Sequence, residues 1–118
     1  MIAEFLKKDR TITGVVCSSD LLAMGVIKAA TMIGLSVPGD LSIVGADDVP
    51  LSNNITPSLS TVHVDLTGIG NKAVSILINT LQGKQVRKKD IVFNMEYIQR
   101  ETTAFIQKRQ NLTRNNNS

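Results

Sequence analysis

Two clusters of side-chain oxygens stand out in this chain of 118 residues: Ser18-Ser19-Asp20 and Asp47-Asp48. Each follows a short apolar run, ITGVVC at 12–17 and LSIVGA at 41–46. Hydroxyls and carboxylates converging on one crevice offer the donors and acceptors that a polyhydroxy ligand needs. The same residues also have plain structural uses. Ser18–Asp20 can supply a helix N-cap, and an Asp pair can open a turn through Asx-type hydrogen bonds.

Nucleophilic and acid–base chemistry is poorly provided for. His63 is the only histidine and Cys17 the only cysteine. His63 lies in the strand-like run STVHV, with no Ser-His-Asp spacing around it, so a satisfied structural histidine fits better than a general base. Cys17 sits inside an apolar run and reads as an inert buried thiol. One His and one Cys cannot make a structural zinc site. Asp47-Asp48 could help hold a divalent cation, but no third carboxylate with a lysine partner stands at a suitable strand end. Gly68-Ile69-Gly70 opens a helix pattern instead of following a strand, which fails the dinucleotide context. Asn111-Leu112-Thr113 matches a glycosylation sequon by chance. The sequence therefore predicts no catalytic residue, no cofactor and no metal ligand, and a protein that is not an enzyme.

The elements that position the two clusters follow from periodicity. Ile2, Phe5 and Leu6 share a helical face. Residues 12–17 read as a buried strand. Ser18–Asp20 then caps a helix over 21–33, with Leu22, Val26, Ala29, Ala30 and Ile33 on one stripe, Gly34 ending it and Pro38 shortly beyond. Residues 41–46 form a second strand, so the unit is βαβ with parallel strands and a right-handed crossover. Ligands in such sheets bind beyond the carboxyl ends of the strands, where both clusters fall. A turn-rich loop over 47–59 leads to a third strand at 60–64. Asp65 caps a helix over 66–82, ended by Gly83. Residues 91–98 and 102–106 read as extended. The 66–82 helix has a broad apolar surface (Leu66, Ile69, Val74, Ile76, Leu77, Ile78, Leu81). That predicts burial between two chains or folding back onto the chain's own sheet.

Composition is that of one ordinary globular domain, 42% apolar and 19% charged, which excludes disorder, collagen and coiled coil for its body. No apolar run approaches a membrane span, and the charged opening MIAEFLKKDR is not a signal peptide. A lone cysteine makes no internal disulfide and fits a reducing cytosol. Three Phe, one Tyr and no Trp argue against an aromatic cage or a base-stacking platform. Residues 1–83 carry 5 basic and 7 acidic groups; residues 84–118 carry 8 and 3. The net +3 is thus a property of the C-terminal third, read as a solvated polar end over 107–118 following a domain at 1–106.

The run at 13–65 strongly resembles the effector-binding core of the lactose-repressor/galactose-repressor (LacI/GalR) family of bacterial transcription regulators. Its matching pieces are S-D-L-L-A-M-G at 19–25, G-L-x-V-P-x-D-L-S-I-V-G at 34–45, D-D at 47–48 and T-P-x-L-S-T-V at 56–62. A weaker continuation reaches R-E-T-T at 100–103. Ala46 stands where an aromatic usually precedes the acidic pair, and Arg100, Glu101 and Thr102 match the R-x-S/T closing motif only loosely. The resemblance implies a three-layer α/β/α, Rossmann-like subdomain of the periplasmic-binding-protein-like type, truncated, with a mostly parallel sheet. It implies a cytoplasmic homodimer that binds a small, sugar-like effector. Operator DNA would be reached only through a headpiece absent from this chain, and no membrane is involved. By position, Asp47, Ser19 and Asp20 would be ligand-binding, and Met24, Leu51 and Ile55 would lie at the dimer interface. A fragment of a transport-type sugar-binding protein is the alternative.

Overall fold

A computed structural model of the chain describes residues 1–84 and 90–105. The elements run α1 (Ile2–Lys8), β1 (Gly14–Val16), α2 (Asp20–Met32), β2 (Ser42–Asp47), β3 (Ser60–His63), α3 (Leu66–Leu81) and β4 (Glu96–Ile98), with a 3-10 turn at Pro50–Asn53. The sheet order is β1-β2-β3-β4. The first three strands are parallel, and β4 joins β3 antiparallel, pairing Val62 with Tyr97 and His63 with Glu96.

Both long helices end as their glycines predict. Gly34 and Gly83 have φ of +75° and +70°. At α2, the Gly34 N–H donates to Thr31 O and the Leu35 N–H to Ala30 O. At α3, Gly83 donates to Thr80 O and Lys84 to Asn79 O. This paired pattern satisfies carbonyls that the helix leaves open, and it requires the left-handed residue. Ser19 caps α2 by accepting from Leu22 N, and Asp65 caps α3 by accepting from Gly68 N.

The core lies between the sheet and the α1–α2 pair. Leu6, Cys17, Ala23, Val26, Ile27, Ala30, Leu41, Ile43 and Leu59 form one buried cluster. Alternation sends Ile43 and Gly45 of β2 toward this side, while Val44 and Ala46 go to the other. That other face carries no packed helix among the described residues, and Val16 there is 82% exposed. Among the described residues, the second helical layer of the expected three-layer fold is left open. α3 accounts for the difference. It buries no residue, and Leu66, Val74, Leu77, Ile78 and Leu81 all stay exposed. It does not fold back onto its own sheet.

Residues 102–105, expected as extended, form no strand. They instead belong to a strap, residues 100–104, laid across the N-terminal ends of β2 and β3. The Ile43 N–H donates to Thr102 O at 2.8 Å. The Thr102 hydroxyl donates to Ile43 O at 2.7 Å and accepts from Ser60 N at 2.8 Å. Glu101 N donates to Ser58 O, and its carboxylate accepts from the Ser58 amide and hydroxyl. The polar tail expected over 107–118 lies outside the described residues.

Gly45 is fixed by packing rather than by conformation. A Cβ there would overlap a carboxylate oxygen of Asp20 and lie 3.1 Å from the Asp20 Cα and 3.0 Å from Leu59 Cδ2. Rotating a side chain cannot relieve a clash with a backbone carbon. Gly45→Ala is expected to destabilise the chain by about 1–3 kcal/mol, the range for overpacking, read from the urea midpoint at unchanged slope.

Candidate functional site

The two oxygen clusters meet, because β1 and β2 are neighbours. The link between them is indirect: Asp20 bonds to Val49, the residue that follows Asp48. Asp20 has no exposed surface. Its Oδ2 accepts from the Val49 amide at 2.9 Å and the Ser52 hydroxyl at 2.6 Å, and its Oδ1 accepts from the Thr61 hydroxyl at 2.5 Å. A carboxylate enclosed this way is stable only because each oxygen is bonded. Asp20 therefore ties α2 to the loop after β2 and to β3, with each of its carboxylate oxygens bonded within the protein. Ser19 is half-buried, with its hydroxyl engaged as the α2 cap at 3.3 Å from Leu22 N. Ser18, exposed beside it, is the free hydroxyl of that cluster.

Asp47 and Asp48 close β2 in an unusual backbone. Their φ values are +104° and +54°, a region that disfavours side chains other than those of Asn and Asp. Such strain persists only where the surroundings impose it, and it concentrates at functional sites. The surroundings here are explicit. Asp48 Oδ1 accepts from Arg100 Nη2 at 2.6 Å and Oδ2 from His63 Nδ1 at 3.1 Å. Arg100 Nη1 also donates to Leu59 O at 2.9 Å, and its backbone N–H to Ser60 Oγ at 2.8 Å. The next residue, Val49, is held by Asp20. The half-buried Asp47 lies beside His63 in the sheet register, and its carboxylate makes no hydrogen bond or ion pair with any described residue.

Charge follows this geometry. The Arg100 guanidinium, aided by His63, holds the Asp48 carboxyl below its ordinary range despite partial burial. Burial alone pushes the Cys17 thiol up, as its apolar surroundings imply. Among the described residues no three His, Cys, Asp or Glu side chains gather as a metal-ligand set. No helix is long and apolar enough to cross a membrane among them.

Of the expected interface residues, Leu51 is 53% exposed. Met24 and Ile55 are half-buried and pack against the core. The clamp formed by Arg100, Glu101 and Thr102 was visible in sequence only as a loose closing motif, and no spacing rule assigns it a role. Ser52 and Thr61, which complete the Asp20 bonds, carried no signal of their own.

A mostly parallel sheet with oxygen-bearing turns at its carboxyl ends defines an open α/β fold. Residues 3–103 match the model of the periplasmic binding protein-like domain, and the chain belongs to that family, in the form found in LacI/GalR-type transcriptional regulators. It is 41% identical over 95 residues to the transcriptional regulator MalR of Streptomyces coelicolor, covering 80% of this chain and 28% of that protein. It is 38% identical over 98 residues to the ribose operon repressor of Halalkalibacterium halodurans, covering 83% and 30%. Its fold is similar to that of a LacI family regulator from Arthrobacter in complex with lactose, at TM-score 0.76 and 32% identity, covering 87% of this chain and 39% of that one. It is likewise similar to the lac repressor dimer bound to operator, at TM-score 0.78 and 31% identity, covering 86% and 35%. The chain thus spans about three tenths of the curated relatives it matches. These relatives are a transcriptional regulator and an operon repressor.

The Asp48 clamp gives a pH signature. A carboxyl whose folded pKa is depressed stabilises the fold above its unfolded pKa, and that contribution disappears as pH falls through the folded value. Asp48→Asn is expected to cost about 1.5–3 kcal/mol at pH 7, the scale of a hydrogen bond to a charged group. The gap between the two proteins should close as pH falls from about 4 downward. Urea unfolding at pH 7, 4 and 3 measures it.

Proposed function

We propose that this chain forms one wall of an effector site of a LacI/GalR-type regulator, with Asp47 as the contact to a hydroxyl-bearing ligand. One observation carries the reading: at the carboxyl edge of the sheet, a turn in left-handed geometry is pinned through Asp48 and Val49 while the Asp47 carboxylate is left without a partner. An ionised carboxylate accepts from two hydroxyls at once, and these charge-assisted bonds are the strong ones. Ser18 and Ser19 lie at the end of the neighbouring strand and suit weaker contacts to the same ligand. The lactose seen with the Arthrobacter regulator supports a saccharide as the ligand class. DNA recognition would belong to another part of the parent protein, and a regulator of this kind acts in the cytoplasm beside the chromosome.

A single open wall excludes little water, so affinity is expected at millimolar level or weaker. Titrating lactose, cellobiose and a panel of monosaccharides into the labelled chain should shift the amide signals of residues 46–49 and the ring signals of His63. Asp47→Asn should abolish those shifts with at least one sugar. Micromolar binding unaffected by Asp47→Asn would contradict the assignment.

The chain is also proposed to self-associate, as the operator-bound lac repressor does as a dimer. The exposed side chains of α3 and Leu51 supply the surface. Burying each Leu or Ile is worth ~1.5–3 kcal/mol, so a few suffice to drive association. Sedimentation at micromolar concentration should give a dimer or larger species, with Leu77→Asp or Leu51→Asp reducing it toward monomer. A monodisperse monomer of the unaltered chain at that concentration would show the surface to be idle.

A further inference from the structure

Asp47 has the wrong backbone for an ordinary residue at a strand end, and it does not hold that backbone by itself. Two successive non-glycine residues at positive φ would relax if the segment were free. The tether nearest the strain is Arg100, which lies 52 residues further along the chain than Asp48. Its guanidinium bridges two different pieces of structure. One nitrogen reaches Asp48, after β2, and the other reaches the Leu59 carbonyl, before β3. The Arg100 backbone is fixed to Ser60, and the following residues are bonded to Ser58, Ile43 and Ser60. The side chain is 16% exposed, and the bonds just described already engage both terminal nitrogens. It is therefore poorly placed to contact a ligand and well placed to hold the turn.

We infer that Arg100 is a positioning residue of the effector site: through Asp48 it keeps the Asp47-Asp48 turn in left-handed geometry, so that the Asp47 carboxylate is placed before ligand arrives. The inference rests on the reading of Asp47 given above. Holding a ligand group in its bound conformation in advance removes an ordering cost from binding. The planar fork of arginine matters because it reaches two acceptors in fixed geometry, which a lysine ammonium on a flexible stem does not reproduce.

The test needs no effector. In the full chain labelled with ¹⁵N and ¹³C, positive φ at Asp47 and Asp48 gives strong intraresidue amide–Hα NOEs and matching scalar couplings. Arg100→Met is expected to weaken those NOEs toward ordinary strand values. It should also raise the titration midpoint of the Asp48 carboxyl, while the signals of Leu6, Ala30 and Leu41 stay in place. Loss of a merely structural contact would disturb the core signals and would not select the turn. If Arg100→Met fails to fold, Arg100→Lys takes its place; it should keep the Asp48 midpoint low yet still weaken the NOEs. Unchanged NOEs at both aspartates in whichever variant folds would overturn the proposal. Asp47→Asn, measured in parallel, should leave the turn geometry intact. If it leaves saccharide binding intact as well, the effector reading fails and the result for Arg100 stands by itself.

Discussion

One buried carboxylate joins three segments on the carboxyl side of the sheet. Asp20 opens α2, yet its oxygens serve the loop after β2 and the face of β3. An ionisable group without exposed surface is tolerated only with each oxygen bonded, and leaving a buried donor unpaired costs about 1–3 kcal/mol. The bond network consequently fixes three separate segments against each other. It also explains Gly45, whose missing side chain is the space the carboxylate occupies. The crossover from β1 to β2 is held by apolar packing of Ala23, Ile27 and Ala30 against Leu41 and Ile43. Asp20 adds the register that packing alone leaves loose.

That arrangement sorts polar groups into those already bonded and those left free. Asp20, Ser52, Thr61, Asp48 and Arg100 all have protein partners. Asp47 does not. A binding edge built this way is stiff where it need not touch ligand and open where it should, because backbone strain at Asp47 and Asp48 is balanced by bonds on the neighbouring residues. His63 joins the same network through Nδ1, with its side chain 47% exposed.

The elements were legible because each has a local cause. Apolar runs gave β1 and β2, the Ser19 and Asp65 oxygens opened helices, and Gly34 and Gly83 closed them. The parallel pairing followed from the length of the βαβ unit. What escaped was non-local. Nothing near Thr102 in sequence says that its hydroxyl will bridge Ile43 and Ser60, and a run with a strand-like pattern became a strap. Asp20 was readable as part of a helix cap and, by family position, as a ligand contact, but its bonds to Val49, Ser52 and Thr61 were not. Only the gap at Gly45, on another strand, lets it turn inward. α3 has a sound helical pattern, but periodicity shows which residues share a face and not what that face will touch.

The strap carries a consequence for how the chain acquires its structure. Ile43 and Ser60 lie at the starts of the two central strands, and each has a main-chain group bonded to Thr102, 59 and 42 residues later. Closing loops of that length is slow relative to forming a helix turn. During synthesis, α1, α2 and the first three strands emerge before the residues that lock them. They can collapse around Ile43 and Leu41, but the end of the β2–β3 pair remains unstitched until residues 100–104 leave the ribosome. Closure of this sheet end therefore waits for residues 100–104, and a chain stopped before residue 100 would present that unpaired sheet end to its surroundings.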